Sequence, residues 1–186
     1  KSVFLNSCLS DLKEWLKWLS PDKDIKHMAY FYEFFARIIS DNDIKNLLKP
    51  YLTEDFTFNI IKNDIIKRID YKGSVNIDTL SLCLLKKAYE LSENYDFRFD
   101  QAWYCLQLGS YYYVHNNINE SDKWYKIYCD IEIEKINGKS RASWKINRKE
   151  NIGYHEFFKR VALIDSSYLN LKKILDKEDN EEFHDD

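Results

Sequence analysis

Residues 102–136 read AWYCLQLGSYYYVHNNINESDKWYKIYCDIEIEKI, and this stretch decides the fold class. Leu108-Gly109 is followed three residues on by Tyr112, and Ser121 is followed four residues on by Tyr125. Asn116-Asn117-Ile118 separates the two groups and suits a turn, since Asn tolerates left-handed backbone and caps helices with its side chain. Beyond the turn, Trp124, Ile127, Tyr128 and Ile131 keep the three- and four-residue steps of a helical face. Two helices are therefore expected, roughly 99–115 and 119–136, folded back on one another. Gly109 and Ser121 are small where such helices must approach closely, and Tyr112 and Tyr125 would fill the flanks of that contact.

Outward from this hairpin the same period recurs. Leu5, Leu9, Leu12, Leu16 and Leu19 step by three and four, with Lys13, Glu14 and Lys17 on other faces. Ser20-Pro21-Asp22 reads as an N-cap, a proline at the first helical position and an acid in the first turn. A helix to about Ser40 follows, carrying Ile25, Met28, Tyr32, Phe35, Ile38 and Ile39. A shorter helix is expected over Asp43 to Lys49. Thr53 opens a fourth segment with Ile60, Ile61, Ile65, Ile66 and Ile69, although Phe56 to Ile60 alternates like a strand. Tyr71 to Asn76, with Gly73, is the clearest internal loop and a sub-boundary; Asp78 then caps a helix to about Asn94. One last helix is expected over about 150 to 176, with Phe157, Val161, Ile164, Tyr168, Leu171 and Leu175 on one stripe.

Asn137-Gly138 fits two geometries. It suits a left-handed helix C-cap, and it equally suits a two-residue turn in a small β-hairpin near 131–146. The helical face running up to Ile131 favours the helix ending.

The chain has four Gly and two Pro in 186 residues, too few for the closely spaced turns of a sandwich or barrel. With 45% hydrophobic and 16% aromatic residues, it can bury a core. An all-α fold follows: stacked helical hairpins or an irregular α-bundle, as a single helical domain over 1–176. Residues 177–186 form an acidic tail expected to be disordered. The net charge of −3, from 28 basic and 31 acidic residues spread along the chain, gives no electrostatic footprint for nucleic acid. No apolar run reaches the length of a membrane span, and no signal-peptide core precedes Cys8. Cys8, Cys83, Cys105 and Cys129 lie far apart among apolar residues, as buried free thiols of a reducing compartment would. A cytoplasmic location is therefore expected.

From Ala102 to Ile136 the chain resembles a tetratricopeptide repeat (TPR), a helical hairpin of about 34 residues with Leu-Gly, Tyr, small and aromatic positions in this order. Cys105 stands where that family favours Trp, and Tyr128 where it favours a small residue. No second copy occurs at the repeat spacing on either side. The resemblance implies stacked hairpins, a protein-binding face and no catalysis.

No glycine-rich phosphate loop, nucleophile elbow, paired-cysteine metal motif or His-Glu-x-x-His pattern occurs. No catalytic, cofactor-binding or metal-ligating residue is assigned, and no cofactor is expected. His115 and His155 stand beside aromatic residues, where a lone histidine usually packs or caps. Arg148 and His155 are seven apart, so on one continuous helix they would share a face within roughly 20°. That pair resembles the Arg–His element of HEPN-type ribonucleases, which would give Arg148 the phosphate and His155 the proton; Lys149 and the intervening Gly153 depart from the pattern. The leading expectation is a non-enzymatic helical domain that binds another protein, with neither nucleic acid nor membrane as partner. A toxin-neutralising or immunity protein is its more pointed form. The alternatives are the ribonuclease and a scaffold fragment of a larger regulator.

Overall fold

Helices form where the apolar residues fall three and four apart, and every regular element among the described residues is a helix. The computed structural model describes residues 2–20, 23–40, 46, 63–69, 72, 77–93, 98–138 and 146–180. The helices are α1 (Ser2–Trp18), α2 (Ile25–Ser40), a short α3 over 63–68, α4 (Ile77–Glu93), α5 (Arg98–Val114), α6 (Ile118–Ile136), α7 (Ile152–Val161) and α8 (Ser167–Asn180). The fold class is all-α. The helix expected over Asp43 to Lys49 and the strand-like Phe56 to Ile60 lie outside the described residues, as does most of the loop from Tyr71 to Asn76. The domain expected over 1–176 is described here as two compact units, Lys1–Tyr95 and Asp96–Asp186.

In the N-terminal unit, α2 packs along α4. Met28, Phe31, Tyr32, Phe35 and Ile39 form its buried stripe, and Leu80, Leu84, Leu85 and Ala88 face inward from α4. The axes come close at Ala36: the buried Ser81 hydroxyl donates to its carbonyl at 3.1 Å, and Ser40 does so at 2.7 Å. Arg68 fastens the end of α1. Its Nη1 donates to the Leu19 carbonyl at 3.0 Å and its Nη2 to the Leu16 carbonyl at 3.2 Å, while Nε holds Asp64 at 3.2 Å. These are carbonyls that a helix end leaves without partners, and a cation there also suits the helix dipole. The start of α2 corrects the expected cap. The helix begins at Ile25, and Asp24 is the residue before it: the Asp24 carbonyl takes the Met28 N–H at 2.8 Å. The Asp24 carboxylate accepts the Ser20 N–H at 3.1 Å. Two capping residues four apart competed, and the one adjoining the apolar stripe begins the helix.

The C-terminal unit is built on the expected hairpin of α5 and α6. Asn116 takes the left-handed backbone at φ 57, and Asn117 caps α6 by accepting the Glu120 N–H. At the crossing, a Cβ on Gly109 would lie 2.7 Å from the Tyr125 ring, inside any real contact distance. The Ser121 hydroxyl donates to the Gly109 carbonyl at 2.8 Å. α7 lays its own glycine on the same ring: a Cβ on Gly153 would come within 2.5 Å of the Tyr125 oxygen and 2.8 Å of Tyr113. Tyr125 also donates to the Asn151 side chain at 2.8 Å, and that oxygen caps α7 by accepting the Tyr154 N–H at 3.0 Å. One phenol thus positions three helices. Around it, Tyr154, Phe157 and Phe158 pack edge to face, ring centroids 4.8 to 5.3 Å apart along the chain of contacts.

Of two further expectations, the helix ending at Asn137-Gly138 is met and the single last helix is corrected. α6 runs through Ile131 to Ile136 and stops at Asn137, with Gly138 left-handed at φ 68, so the β-hairpin near 131–146 does not form at its first strand. Residues 139–145 lie outside the described residues. The single helix over 150–176 is two helices, because the chain turns at 162–166. The second continues to Asn180, so the first four residues assigned to a disordered tail are helical.

Burial pushes the Tyr32 phenol up to about 12; nearby Arg68 opposes this and Asp64 adds to it. An unfolded phenol titrates near 10. The folded state therefore binds this proton more tightly, and its stabilisation is complete below about pH 10 and lost as pH rises towards 12. The midpoint of denaturant unfolding should fall across that window, and Tyr32→Phe should flatten part of the fall. A wild-type midpoint constant from pH 10 to 12 would refute the assignment. In the C-terminal unit, Gly109→Ala should cost about 1–3 kcal/mol, because the added methyl meets a ring that is itself boxed in. A neutral result in urea unfolding would mean that the two helices can part without loss.

Candidate functional site

The ribonuclease resemblance would place Arg148 on one helix with His155, ready to hold a phosphate. Arg148 instead lies before α7, in the irregular segment 146–148, and its side chain is completely buried. All three of its nitrogens are engaged. Nε donates to the Tyr128 hydroxyl at 2.7 Å, Nη1 to the Asp179 carboxylate at 2.8 Å and Nη2 to Glu178 at 3.1 Å. Glu178 is shared with Lys135 at 3.0 Å, and Lys135 reaches Glu132, also fully buried, at 3.3 Å. Two cations and three carboxylates thus join α6, the segment before α7 and the last turn of α8. Burial works against the charge on Arg148, and Tyr128, Asp179 and Glu132 together outweigh it, so its pKa is raised.

Tyr128 explains how the cluster arises. Its bulk, fully buried, carries a hydroxyl to Arg148. Burial pushes its phenol well up, with Glu132 adding to the shift, so it is a hydrogen-bonding group and not a base. The Tyr154 hydroxyl, buried beside Tyr128, has no hydrogen-bond partner among the described residues.

His155 is separated from this chemistry. Its Nε2 stands 3.1 Å from the Lys149 carbonyl, to which it donates, and its ring meets Tyr154 edge-on. The shared helix face behind the ribonuclease resemblance is therefore not formed. His115 stacks on Tyr111 with centroids 4.1 Å apart, and its Nδ1 lies 2.8 Å from the Tyr111 carbonyl at the end of α5. Cys83, Cys105 and Cys129 are free thiols; burial raises the pKa of Cys83 and, far more, of Cys129. The side chain of Cys8 is outside the described residues. Among the described residues, no three His, Cys, Asp or Glu side chains gather as a metal ion would need, and no helix is long and apolar enough to cross a membrane.

One accessible surface stands out. Along α5, Phe99, Trp103, Tyr111 and Val114 share the side away from Cys105, Leu108 and Gly109. Phe99 is 40% exposed and Val114 72%, with Trp103 and Tyr111 half-buried between them. Sequence reasoning missed both this surface and the Arg148 cluster. The stripe blends into a helix rich in apolar residues on every side, and Glu178 and Asp179 read as a solvated tail. No protein-family model, curated protein or solved structure matches the chain.

Arg148→Ala would take the guanidinium away from the nearly buried Asp179, while Glu178 would keep Lys135. We expect a loss of about 3–5 kcal/mol in chemical unfolding, the size typical of a broken buried pair. Arg148→Ala with Asp179→Ala should lose less than the sum of the single changes. Additive losses would show that the two side chains act independently.

Proposed function

We propose that this chain is a non-catalytic protein-binding domain, with a TPR-like hairpin in its C-terminal unit that offers the apolar side of α5 to a partner. The observation that carries this reading is the stripe of Phe99, Trp103, Tyr111 and Val114 on a helix whose opposite side is pinned at Gly109. An aromatic row on a helix that cannot shift is pre-organised, which lowers the ordering cost of association. Aromatic side chains also dominate the energetics of such contacts. Arg148, the cation best suited to an anionic substrate, is consumed internally, which favours binding over phosphate chemistry. The more pointed form is a toxin-neutralising or immunity protein. It rests on the acidic, aromatic-rich composition of a small helical chain.

The test replaces Phe99 and Val114 with Glu, together, and uses Lys126→Glu on α6 as a control. Helix content should be unchanged in all three proteins. A partner captured from the native host by the wild type and the control should be lost with the double variant, its affinity falling about a hundredfold, as for loss of two apolar anchors. Co-expression with a toxin encoded nearby should restore growth with the wild type and the control but not with the double variant. Capture indifferent to the α5 substitutions would defeat this reading. RNA cleavage abolished by His155→Ala with the fold intact would replace it with the ribonuclease.

A further inference from the structure

One apolar stripe runs through two helices. Phe157, Val161, Ile164, Tyr168, Leu171 and Leu175 alternate steps of four and three, the spacing of a single unbroken helix packed along one seam. No Gly or Pro interrupts residues 154–180. Five of these six residues are buried or half-buried, and the chain nevertheless turns at the sixth. Ile164 is 86% exposed and its neighbour Leu163 is 90% exposed.

The turn is held by local hydrogen bonds. The Asp165 N–H still bonds the Val161 carbonyl at 2.9 Å, a helical pairing, and the bend is completed when the Asp165 carboxylate accepts the Ser167 N–H at 2.8 Å. No residue of the turn has left-handed backbone. No residue of the turn therefore needs the backbone freedom of glycine, and straightening would involve residues 162–166 alone. Beyond it, α8 buries Leu171, Leu175 and Asp179 of its fourteen residues, and its last turn supplies the carboxylates of Arg148. Any copy of α8 can make those contacts.

We propose that two copies of this chain exchange α8. Residues 162–166 straighten, α7 and α8 continue as one helix, and Glu178 and Asp179 of each copy complete the Arg148 cluster of the other. The contacts of α8 are the same in the closed monomer and in the exchanged pair, so they cancel. What differs is the hinge. The monomer keeps the Asp165 cap and leaves Leu163 and Ile164 in water. The dimer gives up the cap, and its two-fold symmetry sets the two hinges side by side, where four aliphatic side chains shield one another. Ile164 then regains the seam that its spacing prescribes.

Sedimentation velocity of the full chain over a wide concentration range reads the equilibrium. Asp165→Ala, Ser166→Ala and Ser167→Ala together remove the cap and favour continuous helix, and should tighten the dimer at least about tenfold. Leu163→Gly with Ile164→Gly should weaken it by as much or abolish it. Both sets of positions are exposed, so the folded units should survive. Exchange itself is read by mixing Arg148→Asp chains with Asp179→Arg chains, which are mismatched alone and matched only when α8 crosses over. Mixing should produce a one-to-one dimer, with recovery of helical signal if either variant fails to fold alone. A chain that stays monomeric even with the three alanines, a dimer insensitive to the hinge, or charge variants that never complement would each overturn the proposal.

Discussion

A guanidinium with no exposure to water governs the C-terminal unit. Removing such a charge from solvent is expensive, and the interior returns that cost only if every nitrogen finds a well-placed acceptor. Arg148 finds three, on two helices that are far apart in sequence. A neutral residue at this position could tolerate slippage of α8 by a turn; the fork of Arg148 does not, because Asp179 and Glu178 must arrive together. The cluster thus sets the register of the last helix more than it adds to net stability, and Leu171 and Leu175 supply the apolar burial.

The two units share a way of bringing helices close without sharing a sequence repeat. In one, a Ser121 hydroxyl donates to the carbonyl of Gly109; in the other, Ser81 donates to that of Ala36. A small residue opens the approach and a serine from the facing helix satisfies the carbonyl that the approach brings into the interior. The aromatic residues then fill what the small ones leave open. Where a ring lies directly on the crossing, as Tyr125 does, even the alanine methyl is excluded and glycine is required.

Much of this was legible in the residues. The bounds of α5 and α6 follow from periodicity to within a residue, whereas α4 already includes Ile77, so Asp78 lies inside it and does not cap it. The meeting of Gly109, Ser121 and Tyr125 follows from their sizes and spacing. Other features were hidden for definite physical reasons. Apolar spacing continues unbroken through 162–166, so nothing in the pattern marks the turn; the local capping of Asp165 on Ser167 makes it. Charged residues near a chain end read as solvated, and only the fold brings Glu178 and Asp179 to Arg148. The departure at Tyr128 was visible as a misfit to the TPR pattern. Its meaning required knowing that Arg148 lies within reach of the hydroxyl.

The Arg148 cluster also imposes an order of events. Ser121 and Gly109 are twelve residues apart, and the α5–α6 hairpin can close as soon as Tyr125 is available. Arg148 must wait for acids 30 and 31 residues further on, since burying it earlier would strand its charge. On a chain emerging from its N-terminus, the local hairpin therefore forms first and segment 146–148 stays wet until the end of α8 appears. Maturation of the C-terminal unit is thereby timed by its last helical turn, and a chain halted a few residues short would hold nearly all of its core residues and still be unable to close.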